Sequence, residues 1–188
     1  MVHPGIDKGN IIEYLADIFL RRGADSYLGE EVSMAEHMLQ TALNAEQAGE
    51  SKAMITAALL HDIGHYVGEF PENYIDLGMD NHHETLGAAI LEKFFPREVT
   101  EPVRWHVEAK RYLCAVDPAY LGMLSSASMK TLALQGGPLE AGGVAAFEKN
   151  VYLESILRLR QYDDRGKTAG VRTPQIGYYL EFARDVLE

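Results

Sequence analysis

Apolar residues recur along almost the whole chain at the three-and-four spacing of helices, while the strict alternation of strands is nearly absent. Over residues 8–22, Ile11, Ile12, Leu15, Ile18 and Phe19 share one face, and the run stops before Gly23. Residues 23–31 are polar and read as a loop containing Tyr27, Gly29 and Glu30. Ser33 followed by Glu36 is a capping-box pattern; it opens a helix running to about Gly49, with His37 one turn inside. Ser51 caps the next helix, whose apolar run delivers His61, Asp62 and His65 to its C-terminal end, where Gly64 is expected to loosen the backbone.

Residues 67–80, with Gly68, Pro71 and Gly78, read as a loop. Asn81 is expected to cap a helix through about Phe95, with His82 and His83 in its first turn and Pro96 ending it. Thr100 and Pro102 are expected to start another helix, which holds His106 and Lys110. Pro118 begins a short helical turn, residues 125–135 read as helix, and Gly136-Gly137-Pro138 breaks it. Residues 140–150 and 151–162 follow as helices, the second leading to Asp163 and Asp164. Thr173-Pro174 starts the last helix, with Tyr178, Leu180, Phe182 and Val186 available for the core. Residues 1–9 form a plain lead-in with His3 solvated. No repeat, low-complexity tract or linker interrupts the pattern, so one all-α domain over residues 1–188 is expected.

Charge and composition narrow the function. The chain has 28 acidic and 17 basic residues, a formal charge of −11. That is a poor platform for nucleic acid or an anionic membrane, both of which need clustered Lys and Arg. One cysteine, Cys114, excludes an internal disulfide and a Cys-based zinc knuckle. With no signal-peptide pattern and no apolar stretch long enough to span a bilayer, a cytoplasmic location is expected.

The candidate chemistry lies in the histidines. A His followed directly by Asp is a costly end for a buried segment, because an unpaired polar group there costs ~1–3 kcal/mol or more. A metal ion satisfies both, since imidazole and carboxylate ligate Zn, Mn or Fe; a capping pair that simply ends the helix is the plainer alternative. The predicted helices also bring His37, His83, His106 and Asp163 to helix ends and inward faces. His82 competes with His83, and Asp164 with Asp163. Asp163 is preferred because Arg160 lies one turn before it and can orient its carboxylate or a bound anion, while Asp164 is expected to face solvent.

The order His37, His61-Asp62, Asp163 resembles the signature of the HD-domain superfamily. That resemblance implies a helical bundle in which His37, His61, Asp62 and Asp163 hold one metal, His83 and His106 complete a second, and Asp62 bridges the two. A narrower resemblance rests on Tyr27-Leu-Gly-Glu30 with Ala35-Glu-His37, on His106-Val-Glu-Ala-Lys110-Arg-Tyr-Leu113, and on Leu124-Ser-Ser-Ala-Ser128 with Leu134-Gln-Gly-Gly-Pro138. With Arg160-Gln-Tyr-Asp163-Asp-Arg-Gly-Lys167, these blocks are similar to the PhnZ/TmpB type of organophosphonate-cleaving HD-domain oxygenase, relatives of myo-inositol oxygenase. The similarity runs from about residue 10 to the C-terminus.

This resemblance implies two Fe ions, Fe(II)/Fe(III), and O2 as co-substrate. They would cleave the C–P bond of a 1-hydroxyphosphonate into phosphate and a carboxylate. It places Lys110, Arg160, Ser128 and His65 around the phosphonate, where charge-assisted hydrogen bonds serve a dianion. It assigns Tyr27 to an iron in the absence of substrate, to swing away with Glu30 when substrate arrives, leaving Glu30 facing the substrate's ammonium end. Substrates of this type are 2-amino-1-hydroxyethylphosphonate, giving glycine, and its trimethylammonio counterpart, giving glycine betaine; overall resemblance favours the latter. A quaternary ammonium prefers aromatic faces and a nearby carboxylate, and Tyr27, Tyr66, Tyr74 and Tyr162 are candidates for such faces. The rivals are an HD-domain phosphohydrolase or phosphodiesterase, which would use the same six ligands on a phosphate ester, and a non-catalytic sensing module.

Overall fold

The computed structural model describes residues 5–68, 74, 75 and 77–188. His3 and Pro71 lie outside the described residues. Among those described, the elements are all helices: α1 (Ile11–Arg22), α2 (Met34–Gln47), α3 (Lys52–Leu60), α4 (Gly64–Val67), α5 (His83–Leu91), α6 (Arg97–Val116), α7 (Pro118–Met123), α8 (Ser126–Leu134), α9 (Ala141–Phe147), α10 (Leu153–Asp164) and α11 (Ile176–Asp185). None is long and apolar enough to cross a membrane.

α3 is the axis of the bundle. It is apolar on every side, as a helix enclosed by others must be, and Met54 through Leu60 are all buried. α2, α6 and α11 pack around it, with α10 touching both α2 and α6, and α5 closing on α6. α2 begins with the expected reciprocal cap: Ser33 accepts from the Glu36 amide, and the Glu36 carboxylate accepts from the Ser33 amide. This fixes the register of His37, buried one turn later. A second, smaller apolar group joins Ala109, Leu139, Phe147 and Ile156, tying α9 to α6 and α10.

Several boundaries differ from those expected. α6 starts at Arg97 rather than Thr100, because the Pro96 carbonyl accepts from the amides of Val99 and Thr100. Pro102 therefore lies inside the helix, where its missing N–H removes only the bond to the Glu98 carbonyl. α5 stops at Leu91 instead of Phe95; the amides of Phe94 and Phe95 both fold back onto the Leu91 carbonyl, which turns the two rings into the core. α10 runs on through Asp164, so Asp163 and Asp164 are helical.

Gly64 has a role other than loosening. The chain turns at residues 61–63 and re-enters a helix at Gly64, and a methyl group there would overlap the carbonyl oxygen of His83. Gly64 lets the start of α5 press onto α4. That contact brings His83 to Asp62 and His106.

Candidate metal centre

The residues singled out as ligands converge from four helices and the turn after α3. His37 comes from α2, His61 and Asp62 from that turn, His83 from the first residue of α5, His106 from the middle of α6 and Asp163 from the end of α10. All are buried. Two groups form, His37 with His61 and Asp62, and Asp62 with His83 and His106. The two oxygens of Asp62 divide between them. Its Oδ2 is 3.5 Å from His37 Nε2 and 3.4 Å from His61 Nε2, while Oδ1 is 3.2 Å from His83 Nε2 and 3.4 Å from His106 Nε2. Asp163 Oδ1 joins the first group, 3.4 Å from His37 Nε2 and 3.9 Å from His61 Nε2.

Hydrogen bonds behind the rings decide which nitrogen faces inward. His37 Nδ1 donates to the Gly166 carbonyl at 3.0 Å, His61 Nδ1 to that of Ala58 at 2.9 Å, and His106 Nδ1 to that of Val103 at 2.7 Å. His83 Nδ1 donates to Asn81 Oδ1 at 2.9 Å. With Nδ1 carrying the proton, each Nε2 presents a bare lone pair, as ligating imidazoles require. Yet His37 Nε2 and His61 Nε2 are 3.0 Å apart, and His83 Nε2 and His106 Nε2 3.1 Å. Lone pairs so close repel unless a cation lies between them. Two ligand atoms about 2.1 Å from one ion stand about 3.0–3.4 Å apart, so these spacings suit a cation. Asp163 Oδ1 is buried without a hydrogen-bond partner, a polar atom that an ion would satisfy. The residues fit a pair of metal ions sharing Asp62.

The electrostatics agree. Burial alone would raise the Asp62 pKa, but positive charge on the imidazoles around it holds it well below the usual carboxylate range, a role that passes to the metal charge when the Nε2 atoms are neutral ligands. Asp163 is likewise held low against its burial, by Arg160 first and then Lys167. Both stay ionised as ligands. Burial pushes His65 well below an ordinary histidine, toward the neutral form.

Beside the two ligand groups lies a cleft open to solvent, lined by Tyr27, Glu30, His65, Lys110, Ser128, Arg160 and Asp163 among others. Lys110 is buried, not solvated, and donates to Thr131 Oγ1 at 2.9 Å. Burial and the nearby Arg160 bring its pKa down to about 7. Ser128 is also buried and accepts at 3.0 Å from Lys167 Nζ. Arg160 lines the cleft, but its guanidinium is committed: Nη1 donates to Asp163 Oδ2 at 2.7 Å, Nη2 to Asp164, and Nε to Tyr120 Oη at 3.0 Å. Of the two uses open to it, orienting the carboxylate is the one the geometry displays.

Tyr27 stacks on the His37 ring, centroids 3.9 Å apart and planes 15° apart. Its phenol is raised well above the ordinary value by burial and by the charges of Asp62 and Asp163. The next residue, Leu28, holds a left-handed φ of 51°, and Gly29 follows at 84°. A non-glycine residue in that region stores strain. Glu30 Oε1 accepts from Ser125 Oγ at 2.5 Å, tying this turn to the start of α8.

Other expectations are resolved or corrected. His82 is exposed with a left-handed φ of 46°, so His83 is the inward histidine. Asp164 does not simply face solvent; it accepts from Tyr120 Oη at 2.6 Å and pairs with Arg160. Of the four tyrosines considered for a cation's aromatic wall, Tyr27 and Tyr74 line the cleft. Tyr66 instead packs edge-on against Phe19, and Tyr162 donates to Glu50. Lys167, Asn81 and Thr131 also line the cleft and were not foreseen as site residues. Lys167 could have been found from its place four residues after Asp163, and Thr131 from lying one turn after Ser128.

A His-Asp pair at the end of a buried helix, completed by imidazoles and a late Asp from flanking helices, defines an HD-type metal centre. The chain belongs to the HD-domain family, whose sequence pattern matches residues 34–134. It is 48% identical over 183 residues to the 1-hydroxy-2-(trimethylamino)ethylphosphonate dioxygenase (glycine-betaine-forming) of Leisingera caerulea, covering 97% of this chain and 93% of that protein. It is 42% identical over 186 residues to the hydroxymethylphosphonate dioxygenase of Gimesia maris, covering 98% of this chain and 90% of that one. With them it stands among the HD-domain oxygenases of the PhnZ/TmpB type, metal-dependent enzymes that use O2.

Proposed function

We propose that this chain is a diiron oxygenase that cleaves the C–P bond of 1-hydroxy-2-(trimethylammonio)ethylphosphonate, giving phosphate and glycine betaine. The observation that carries the reading is the division of Asp62 between two ligand groups beside a cleft walled by Lys110 and Lys167. Iron fits this donor set, because imidazole and carboxylate without thiolate suit non-haem iron and leave positions open. When bound, a mixed-valence Fe(II)/Fe(III) pair supplies Lewis acidity for the substrate hydroxyl and phosphonate, together with the redox capacity to use O2. The balance is R–CH(OH)–PO3(2−) + O2 → R–COO− + HPO4(2−) + H+.

The chain's own side chains do the remaining work. Lys110, Lys167, Ser128, Thr131 and His65 offer N–H and O–H donors to phosphonate oxygens, and the ammonium donors make charge-assisted bonds. Arg160 keeps Asp163 turned toward the first ion. Tyr27 and Glu30 gate the open positions, with Glu30 held by Ser125 and the left-handed Leu28 in the turn between the two. Tyr27, Tyr74, Met79, Glu30 and Asp80 furnish aromatic and acidic surface for a quaternary ammonium. The high identity to the Leisingera caerulea protein supports that substrate over the primary amine.

The test is O2 uptake by iron-loaded protein with the trimethylammonio, 2-amino and hydroxymethyl phosphonates, with phosphate release measured alongside. One phosphate per O2, fastest with the trimethylammonio compound, is expected. Phosphate-ester hydrolysis without O2 uptake would replace this reading with a phosphohydrolase.

A further inference from the structure

Asn81 is buried, so each polar atom of its side chain needs a partner. Its side-chain oxygen receives the main-chain N–H of His83 at 3.4 Å. A main-chain N–H only donates, so the atom facing it is Oδ1 and the amide orientation follows. The same Oδ1 receives His83 Nδ1–H at 2.9 Å. The other end, Nδ2, lies 3.0 Å from His65 Nδ1. An amide nitrogen only donates, so His65 Nδ1 is the acceptor and its proton sits on Nε2.

One amide therefore sets two histidines to opposite tautomers. His83 presents a lone pair from Nε2 to the second ligand group. His65, stacked on His83 with centroids 4.0 Å apart, presents an N–H from Nε2 instead. That Nε2 is buried without a hydrogen-bond partner, and it lies 4.0 Å from Asp62 Oδ1. Were the tautomers exchanged, the metal would meet an N–H and the cleft a lone pair, both wrong for a cation beside an oxyanion. We infer that Asn81 is a positioning residue that makes His83 a metal ligand and His65 an oxyanion donor at once. The inference rests on the reading of the cleft as a phosphonate site.

The test compares wild type with Asn81→Leu, Asn81→Asp, His65→Ala and the Asn81→Leu/His65→Ala double variant. Iron per chain and Fe(II) affinity are measured anaerobically, followed by calorimetric binding of inorganic phosphate with Fe(II) in excess to fill both sites. Asn81→Leu is expected to weaken one of two Fe(II) sites by about 10–100-fold, the usual cost of removing a partner behind a ligating histidine. Asn81→Asp is expected to restore it, since a carboxylate also accepts from His83 Nδ1–H. Asn81→Leu should weaken phosphate binding roughly tenfold or more with His65 present, and by much less in the His65→Ala background. Wild-type Fe(II) binding in Asn81→Leu, no restoration by Asp, an equal loss of phosphate affinity with and without His65, or a wild type that binds no phosphate would each overturn the inference. None of these readouts needs turnover, so absent O2 uptake would count against the proposed activity alone.

Discussion

Arg160 donates from Nη1 to Asp163 Oδ2 at 2.7 Å, and this bond leaves Asp163 Oδ1 as the oxygen facing His37 and His61. The pair lies one helical turn apart on α10, so the same segment carries a ligand and the cation that aims it. Arg160 also neutralises Asp164, which makes it the only buried guanidinium among the described residues to hold two carboxylates. Removing it leaves the two carboxylates with only the more distant Lys167, 3.8 Å from each. Arg160→Ala is expected to cost about 3–5 kcal/mol of stability, the range for breaking a buried pair from one side, and to lower iron content at the first site. Denaturant unfolding and iron analysis check this, and wild-type values in both would remove Arg160 from the metal centre.

Among the described residues, Asp62 is the one side chain shared by both ligand groups. Asp62→Ala is therefore expected to abolish binding of both ions, whereas His106→Ala should spare the first. Iron titration with elemental analysis separates the two cases. One ion kept at full occupancy in Asp62→Ala would show that the carboxylate does not bridge.

The capping box, the apolar axis helix and the His-Asp pair could be read from the sequence because each depends on near neighbours. His37, His61 and Asp163 could be proposed together only through resemblance, since 125 residues lie between the first and the last and no periodicity links them. The local rules failed where a tertiary contact set the boundary. Pro102 suggested a helix start, but the Pro96 carbonyl had already begun the helix. Gly64 suggested looseness where the cause is the backbone of α5 lying against it. Asn81 looked like a cap and does accept from the His83 amide, but its other bond, to His65, spans a loop that sequence does not fold.

Gly64 supports a test of packing as the determinant of the second site. A methyl group in place of its hydrogen meets main-chain atoms of His83, which cannot rotate away. Gly64→Ala is expected to destabilise the protein by about 1–3 kcal/mol, the usual cost of overpacking. It should also weaken the His83–His106 site more than the His37–His61–Asp163 site. Unchanged thermal unfolding and metal affinity would mean that α5 is not fixed by this contact.

Lys110 makes anion binding depend on pH. Its pKa falls to about 7 from an ordinary 10.5, because burial and Arg160 disfavour the charged form. Between those values the unfolded chain carries a proton that the folded chain does not, so stability of the metal-free protein rises with pH across that window. Binding runs the other way. A phosphonate dianion beside Lys110 favours the ammonium, so above pH 7 each bound anion draws in a proton and affinity falls by up to about tenfold per pH unit. Lys110→Met should stabilise the metal-free protein at pH 7 and below, weaken phosphonate binding near neutral pH by ~1.5–3 kcal/mol, leave iron content unchanged, and lose the contribution of Lys110 to the pH slope. Calorimetry from pH 6.5 to 9 in two buffers of different ionisation enthalpy measures the proton uptake directly. The same uptake in Lys110→Met as in wild type would assign the titration to the ligand rather than to Lys110.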